Sequence, residues 1–404
     1  MSKKITRYGW SLMAVMLMPQ IGVADTSQDL REALDKAWAR NAEANTLEAR
    51  QAEIAAQRTA ASSLFPDAPA LELSNRSDRY TDNRGQEELE AGVSLPLWLP
   101  GQQTARAEEV VAAEANLNQA MQALRLKLAG EVREALWATA LAESQVVVVE
   151  HHLETTRKLE DDVERRVAAG DLAQTDLNLA QNDTLIVQAA LLEAETRLFQ
   201  VGQSYSILVG APPIAAEQED VQLAPTTLDD HPRLMAARSA IAYAQAQLHV
   251  ANAARRDSPE LTLSTRRERR DDADPYDQSI GIALRLPFAT EARNRPLTAS
   301  AETTLTQTQV QYEQMRRQLE VEIKQTEQGF QAAQQALTIS ATQQRLTAEN
   351  GVLLQKSFDF GELSLVLLLQ AKNAAFTAEQ AYTQQKITLA LSKARLNQAR
   401  GILP

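Results

Sequence analysis

Six stretches of the chain, 29–64, 102–167, 173–208, 232–255, 296–358 and 363–400, are built from Ala, Gln, Glu, Leu, Lys and Arg. Their apolar residues recur every third or fourth position, the period of an α-helix with one apolar face. Leu117, Met121, Leu124, Leu128, Val132 and Leu136 form the clearest stripe, and Leu305, Val310, Met315, Leu319 and Ile323 a looser one. Gly101 precedes the second stretch, Gly170 and Gly361 close the two longest, and Pro232 and Pro296 open others, the punctuation expected at helix ends. Segment 102–167 alone predicts a rod of roughly 100 Å at 1.5 Å per residue. No compact domain of this size holds such a helix. The stripes are mostly Ala, which predicts helices packed closely side by side as the wall of a cylinder.

Four segments of about 10 residues, 69–78, 88–97, 259–268 and 278–287, have a period of two instead. In the second, Leu89, Ala91, Val93, Leu95 and Leu97 alternate with Glu88, Glu90, Gly92, Ser94 and Pro96. In the fourth, Ile280, Ile282, Leu284 and Leu286 alternate with Ser279, Gly281, Ala283 and Arg285. The first and third alternate less cleanly, with Leu71 and Leu73, then Leu261 and Leu263, giving way to polar residues; Glu72, Ser74 and Ser264 stand between or beside them. Asp, Asn, Gly and Pro fill the connections 79–87 and 269–277, so each pair reads as a hairpin. This length and alternation suit tilted strands with one face to lipid and one to a lumen; they also suit soluble hairpins packed on helices. Two hairpins leave two unpaired edges, which lipid does not tolerate. If the hairpins span a membrane, several chains must share a barrel, and three chains supply twelve strands.

The chain repeats itself. Val93-Ser94-Leu95-Pro96-Leu97 aligns with Leu284-Arg285-Leu286-Pro287-Phe288 at an offset of 191, and Gly170-Asp171-Leu172 with Gly361-Glu362-Leu363 at the same offset. Residues 25–210 and 232–404 therefore read as two structural repeats around a linker at 211–231, each in the order helix, hairpin, long helix, glycine turn, helix.

Ahead of them, Lys3, Lys4 and Arg7 precede an apolar run from Tyr8 to Met18, then Pro19 and Gly22-Val23-Ala24. This predicts a secretory signal, 1–24, cleaved after Ala24, since about 11 apolar residues are too short to span roughly 30 Å of hydrocarbon. Composition narrows the classes further. The 404 residues include 14 Gly, 14 Pro and only 4% aromatics, which fits long helices better than several compact cores. With no cysteine, disulfides, thiolate metal sites, Cys nucleophiles and a cysteine-linked lipid are excluded. A net charge of −12 argues against a nucleic-acid partner.

The duplicated order resembles the TolC family of outer membrane efflux channels over the whole chain after residue 24. Leu95-Pro96-Leu97-Trp98-Leu99-Pro100-Gly101-Gln102, with Phe360-Gly361-Glu362-Leu363-Ser364 and the following Leu368 and Ala371, resembles its heavy-metal resistance branch, the cobalt–zinc–cadmium and copper–silver type. The resemblance implies a mainly α fold with a small β part: a long-helix α-barrel and two β-hairpins per chain, forming a shared 12-stranded outer membrane barrel in a homotrimer. It further implies residence in the outer membrane of a Gram-negative bacterium, contact with outer membrane lipid, and docking to a periplasmic adaptor (membrane fusion) protein and an inner membrane resistance-nodulation-division transporter. It implies no cofactor and no catalysis. The expected pore-lining residues are Glu72, Ser74, Glu88, Glu90, Ser94, Ser264 and Arg285, and the expected tip and gate residues are Gly170, Asp171, Asp176, Gly361, Glu362, Leu367 and Gln370. Where family members often place an aspartate ring after the second tip turn, this chain has Gln370, with Leu367 and Leu368 nearby. Asp176 is a candidate for the missing charge, or an ordinary solvated helix residue.

Other constellations carry less. His151-His152 are neighbours on a helix and point about 100° apart, so they read as surface histidines and not a metal pair. Arg266-Arg267-Glu268-Arg269-Arg270 suits lipid headgroups, a lumen lining or a solvated hairpin end. Trp98 fits an interfacial anchor. No nucleotide-binding loop, zinc-protease pair or nucleophile elbow occurs. The alternatives are an outer membrane channel for organic compounds or type I secretion, and a soluble periplasmic coiled-coil adaptor.

Overall fold

The computed structural model describes residues 26–404 except 217 and 223–226; the expected leader at 1–24 lies outside them. Seven helices and four strands run in the order α1 (Thr26–Arg40), α2 (Ala42–Ala61), β1 (Ala70–Ser77), β2 (Glu87–Pro96), α3 (Gln102–Ala169), α4 (Gln174–Val209), α5 (Pro232–Ala253), β3 (Glu260–Arg269), β4 (Asp277–Arg285), α6 (Glu291–Asp359) and α7 (Leu365–Ala399). The fold is mainly helical, with a small antiparallel sheet. α3 and α6 have 68 and 69 residues, so each is a rod of about 100 Å. No described helix is long and apolar enough to cross a membrane.

Two helix boundaries differ from the sequence expectation. The predicted helix 29–64 breaks at Asn41, whose backbone is extended and whose side chain accepts the Ala44 N–H at 2.9 Å. Asparagine is a strong N-cap and restarts the helix without Gly or Pro. Pro296 does not open its helix; α6 begins at Glu291, and the proline sits inside it, near the N-terminus. There its missing N–H removes only one early helix bond.

α3 is the spine. It packs on α4 and α7 toward the glycine turns and on α2 and α5 toward the sheet, while α6 packs on α5 and α7. Across the strip the order is therefore α4, α3, α7, α6 at one end and α2, α3, α5, α6 at the other. The sheet order is β1-β2-β3-β4, all antiparallel. β1 leads out of the α2 edge and β4 leads into the α6 edge. Each end of the protomer thus has the same two open margins, α2, β1 and α4 on one side and β4 and α6 on the other.

The core is thin and distributed. Leu30, Ala33, Ala37, Val132, Leu136, Tyr205 and Val209 join α1, α3 and α4, and Leu159, Val163, Ala180, Phe358, Leu365 and Leu368 join the ends of the two helical hairpins. Such small clusters along a rod are what an Ala-rich wall, one helix thick, can bury.

Candidate functional site

The sheet is built inside out. Its register places Leu71, Val93, Leu263 and Ile282 in one row, and Leu73, Ala91, Thr265 and Ile280 in the next. These rows lie on one face, because side chains two apart on a strand point the same way. That face is open, with Leu71 69% and Ile280 83% exposed. On the opposite face Ser94 is 1% exposed, and its hydroxyl lies 2.8 Å from that of Thr262. A soluble hairpin packed on helices would bury the apolar face and bare the polar one. The poor alternation of the first and third strands is resolved by the register: Leu71, Leu73, Leu261 and Leu263 share the apolar face with the leucines and isoleucines of β2 and β4.

All seven residues chosen as pore-lining from the sequence, Glu72, Ser74, Glu88, Glu90, Ser94, Ser264 and Arg285, fall on the polar face. Arg266 lies there too, donating to Glu90 at 3.2 Å and pairing with Glu88 at 3.1 Å, so its place is this face rather than the apolar one. Arg76 reaches Glu88 at 3.6 Å and Arg285 reaches Glu260 at 3.8 Å. The row Glu72, Gly92, Ser264, Gly281 differs. A Cβ on Gly281 would come 2.9 Å from Ser264 Oγ, so only small residues fit beside it. Among the described residues Glu72 has no cationic partner.

The two glycine turns are built alike. Gly170 has φ 86° and the Asp171 N–H bonds to the Arg166 carbonyl at 2.9 Å; Gly361 has φ 78° and the Glu362 N–H bonds to the Ser357 carbonyl at 2.9 Å. Both are αL glycine stops, a backbone that side-chain-bearing residues resist. Arg166 joins the turns: it pairs with Asp162 at 2.9 Å, donates to the Phe358 carbonyl at 3.2 Å and sits over the Phe358 ring at 4.9 Å. Asp176 is half-buried and accepts the Ala173 N–H at 3.1 Å, capping its own helix. Its counterpart in the second half is Leu367, which is exposed, as is Gln370; Leu368 is buried in the core between the hairpins.

His151 and His152 are not a surface pair. His151 is exposed beside Glu379, at 3.7 Å, but His152 is buried and stacks on Phe376 with ring centroids 3.8 Å apart. Val148, Val149 and Leu153 beside it are buried too, so the helix face bearing His152 packs inward. Trp98 donates to the Ser63 carbonyl at 3.0 Å, fastening the strand-to-helix junction to the end of α2. Arg133, which the sequence reading passed over, is the largest fully buried side chain. Its signal was a charge placed four residues after Ala129 and four before Trp137. Among the described residues no three His, Cys, Asp or Glu side chains are placed to hold a metal ion.

No protein-family model and no curated protein matches the chain. Solved structures do. The crystal structure of CusC, studied for folding and transmembrane channel formation, superposes with a TM-score of 0.77 at 17% identity, covering 93% of this chain and 92% of that one. The outer membrane protein VceC of Vibrio cholerae gives 0.73 at 19% identity over 93% and 97%. The Campylobacter jejuni CmeC outer membrane channel gives 0.76 at 15% identity over 99% and 94%. The open strip of long helices with its inside-out sheet is thus the protomer fold of the TolC-like outer membrane channels.

Proposed function

We propose that the chain is one subunit of a passive efflux channel of the outer membrane, in which three copies close margin to margin into a single duct. The observation that carries this reading is the sheet: one whole face apolar and bare, the ion pairs and hydroxyls gathered on the other, both edge strands unpaired. Water would penalise that arrangement, and lipid requires it once the edges are joined. The helical margins support it. On α4, Leu185, Leu192 and Phe199 are exposed at seven-residue spacing; on α6, Ile339, Leu346 and Leu353 repeat the same spacing. Two exposed apolar seams on opposite margins of one strip are complementary surfaces for copies of itself.

In this reading Glu72, Ser74, Glu88, Glu90, Ser94, Ser264 and Arg285 line the barrel. The turns at Gly170 and Gly361, with Asp171, Asp176, Glu362, Leu367 and Gln370, form the periplasmic tip where the duct narrows. Residues 1–24 direct export, and 25–210 and 232–404 are the two repeats joined by 211–231. The partners are a periplasmic adaptor and an inner membrane resistance-nodulation-division transporter, which supplies the energy, so this subunit performs no reaction. The cargo is heavy-metal cations; the junction Leu95 to Gln102 and the tip sequence Phe360 to Ser364 support that branch. Reconstitution of the detergent-extracted protein into planar bilayers tests the channel: unitary conductance steps are expected. Absence of conductance, or recovery in the soluble periplasm without detergent, overturns it. A deletion strain tests the cargo: sensitivity to zinc, cadmium, cobalt, copper or silver salts is expected, and unchanged tolerance to all of them points to organic compounds.

A further inference from the structure

We propose that an open cleft between α3, α6 and α7 binds a small aromatic anion, with the exposed Lys356 and the half-buried Lys372 holding its charged groups and Phe376 its ring. The cleft has a volume of about 490 Å³ and is lined by His152, Gly351, Val352, Lys356, Lys372 and Phe376 among others. This is within the range of pockets that enclose small ligands. It lies within one protomer, about 27 Å along α3 from the Gly170 turn at 1.5 Å per residue, and it stands whether or not the margins close into a channel.

Four features specify the ligand. First, the lining is cationic in a protein of net charge −12. Among the described residues neither Lys356 nor Lys372 has a carboxylate within ion-pair distance. Asp359, whose charge reaches Lys372, is already held by Gln355 Nε2 at 2.9 Å and by Arg166 at 3.5 Å. Glu379, the acid in the lining, faces His151 at 3.7 Å. Burial pushes the Lys372 ammonium below its usual pKa, against the opposing charge of Asp359.

Second, His152 is 7% exposed and neither of its ring nitrogens has a hydrogen-bond partner. Burial also lowers its pKa, so the ring is neutral near pH 7 and keeps one N–H to donate and one nitrogen to accept. An unpaired buried polar group is destabilising, and a ligand oxygen at this position relieves that.

Third, the lysines share their helix faces with apolar neighbours, Lys372 with Phe376 one turn on and Lys356 with Val352 one turn before. Phe376 lies parallel to His152, tilted by 15°, and Val352 and Ala375 flank it. Fourth, Gly351 stands inside α6, where glycine is less favourable than alanine. A Cβ there would meet only Ala375, at 3.9 Å, so the glycine is not demanded by packing and its effect is to keep the floor open. A bare cation does not fit: the two unpaired ammonium groups repel it, and no metal-holding cluster is present among the described residues.

Isothermal titration of the purified full-length protein in a neutral detergent, with naphthalene-1,5-disulfonate as the probe, tests the site. Saturable binding of one molecule per chain is expected. Lys372→Met or Lys356→Met should each weaken it about tenfold, the loss of one charge-assisted contact. Gly351→Leu fills the floor while favouring the helix, and should abolish binding with the melting temperature kept. Neutral naphthalene-1,5-diol should bind at least about tenfold more weakly than the disulfonate. The proposal is overturned if the disulfonate gives no saturable heat, if Gly351→Leu binds like the wild type, or if the diol binds equally well, which would mark the cleft as merely apolar.

Discussion

Arg133 of α3 and Glu219, in the segment between α4 and α5, form a bidentate pair: Nε donates to Oε1 at 2.9 Å and Nη2 to Oε2 at 2.8 Å, with Arg133 only 2% exposed. The third nitrogen, Nη1, donates to Gln398 Oε1 at 2.7 Å and to the Ile402 carbonyl at 3.0 Å. Asn397 completes the knot, donating to the Asp220 carbonyl at 2.9 Å and accepting the Gln222 N–H at 3.0 Å. One buried guanidinium therefore ties α3, the segment between α4 and α5, and the residues at and after the end of α7. Removing one partner of a buried pair leaves the other charged and unpaired, at a cost of about 3–5 kcal/mol. Arg133→Met is expected to lower the unfolding free energy by that amount, seen as a lower denaturation midpoint, and Arg133→Met with Glu219→Gln to recover part of it. Equal midpoints for wild type and Arg133→Met would refute the tie.

His231 caps α5, its Nδ1 accepting the Arg233 N–H at 3.2 Å. Burial, with help from the Arg233 charge, pushes its pKa down from 6.5 to about 4. A depressed folded-state value means that the neutral ring stabilises the fold. The contribution is full above pH 6.5 and is lost as pH falls from there toward about 4, amounting to about 3 kcal/mol. His231→Asn keeps a capping acceptor but cannot titrate, so its stability should fall less between those limits. Parallel acid profiles for the two proteins would contradict the assignment.

Glu72 stands alone in its row of the polar face, with Gly92, Ser264 and Gly281 beside it. Its neighbours Glu88 and Glu90 are offset by Arg266. In a closed barrel each subunit contributes one uncompensated carboxylate at this height, which raises the local cation concentration in a lumen wide enough for salt to screen. At low ionic strength the reversal potential across a salt gradient should report cation preference. Glu72→Gln should reduce it and Glu72→Lys should reverse it, with unitary conductance retained. A reversal potential unmoved by either substitution would remove Glu72 from the lumen.

Leu192 on α4 and Leu346 on α6 lie at the centres of the two exposed seams. Each makes little contact within its own chain, so Leu192→Asp or Leu346→Asp should leave the protomer folded by circular dichroism while weakening its assembly. Loss of helicity with assembly unchanged would be the opposite outcome.

Much of this was legible from periodicity alone. α3, α4, α5 and α7 fall within two residues of their expected limits because glycine and proline punctuate them and their apolar stripes are long. The polar strand face was legible residue by residue, since a period of two leaves no third choice of direction. The break at Asn41 was not, because a capping asparagine looks like any solvated one until its backbone turns. Nor was the split between Leu367 and Leu368: in the run Leu365-Val366-Leu367-Leu368-Leu369 no polar residue marks which face is bare. His152 was misread for a related reason. Sequence shows that neighbours on a helix diverge, but not which of the two meets a partner such as Phe376.

The central claim is that one chain is an open strip whose margins require copies of itself. Native mass measurement of the detergent-extracted protein tests it most directly. A discrete complex of three chains that persists on dilution in detergent is expected. A stable single chain, carrying its unpaired β1 and β4 edges and its bare α4 and α6 seams without association, would contradict it.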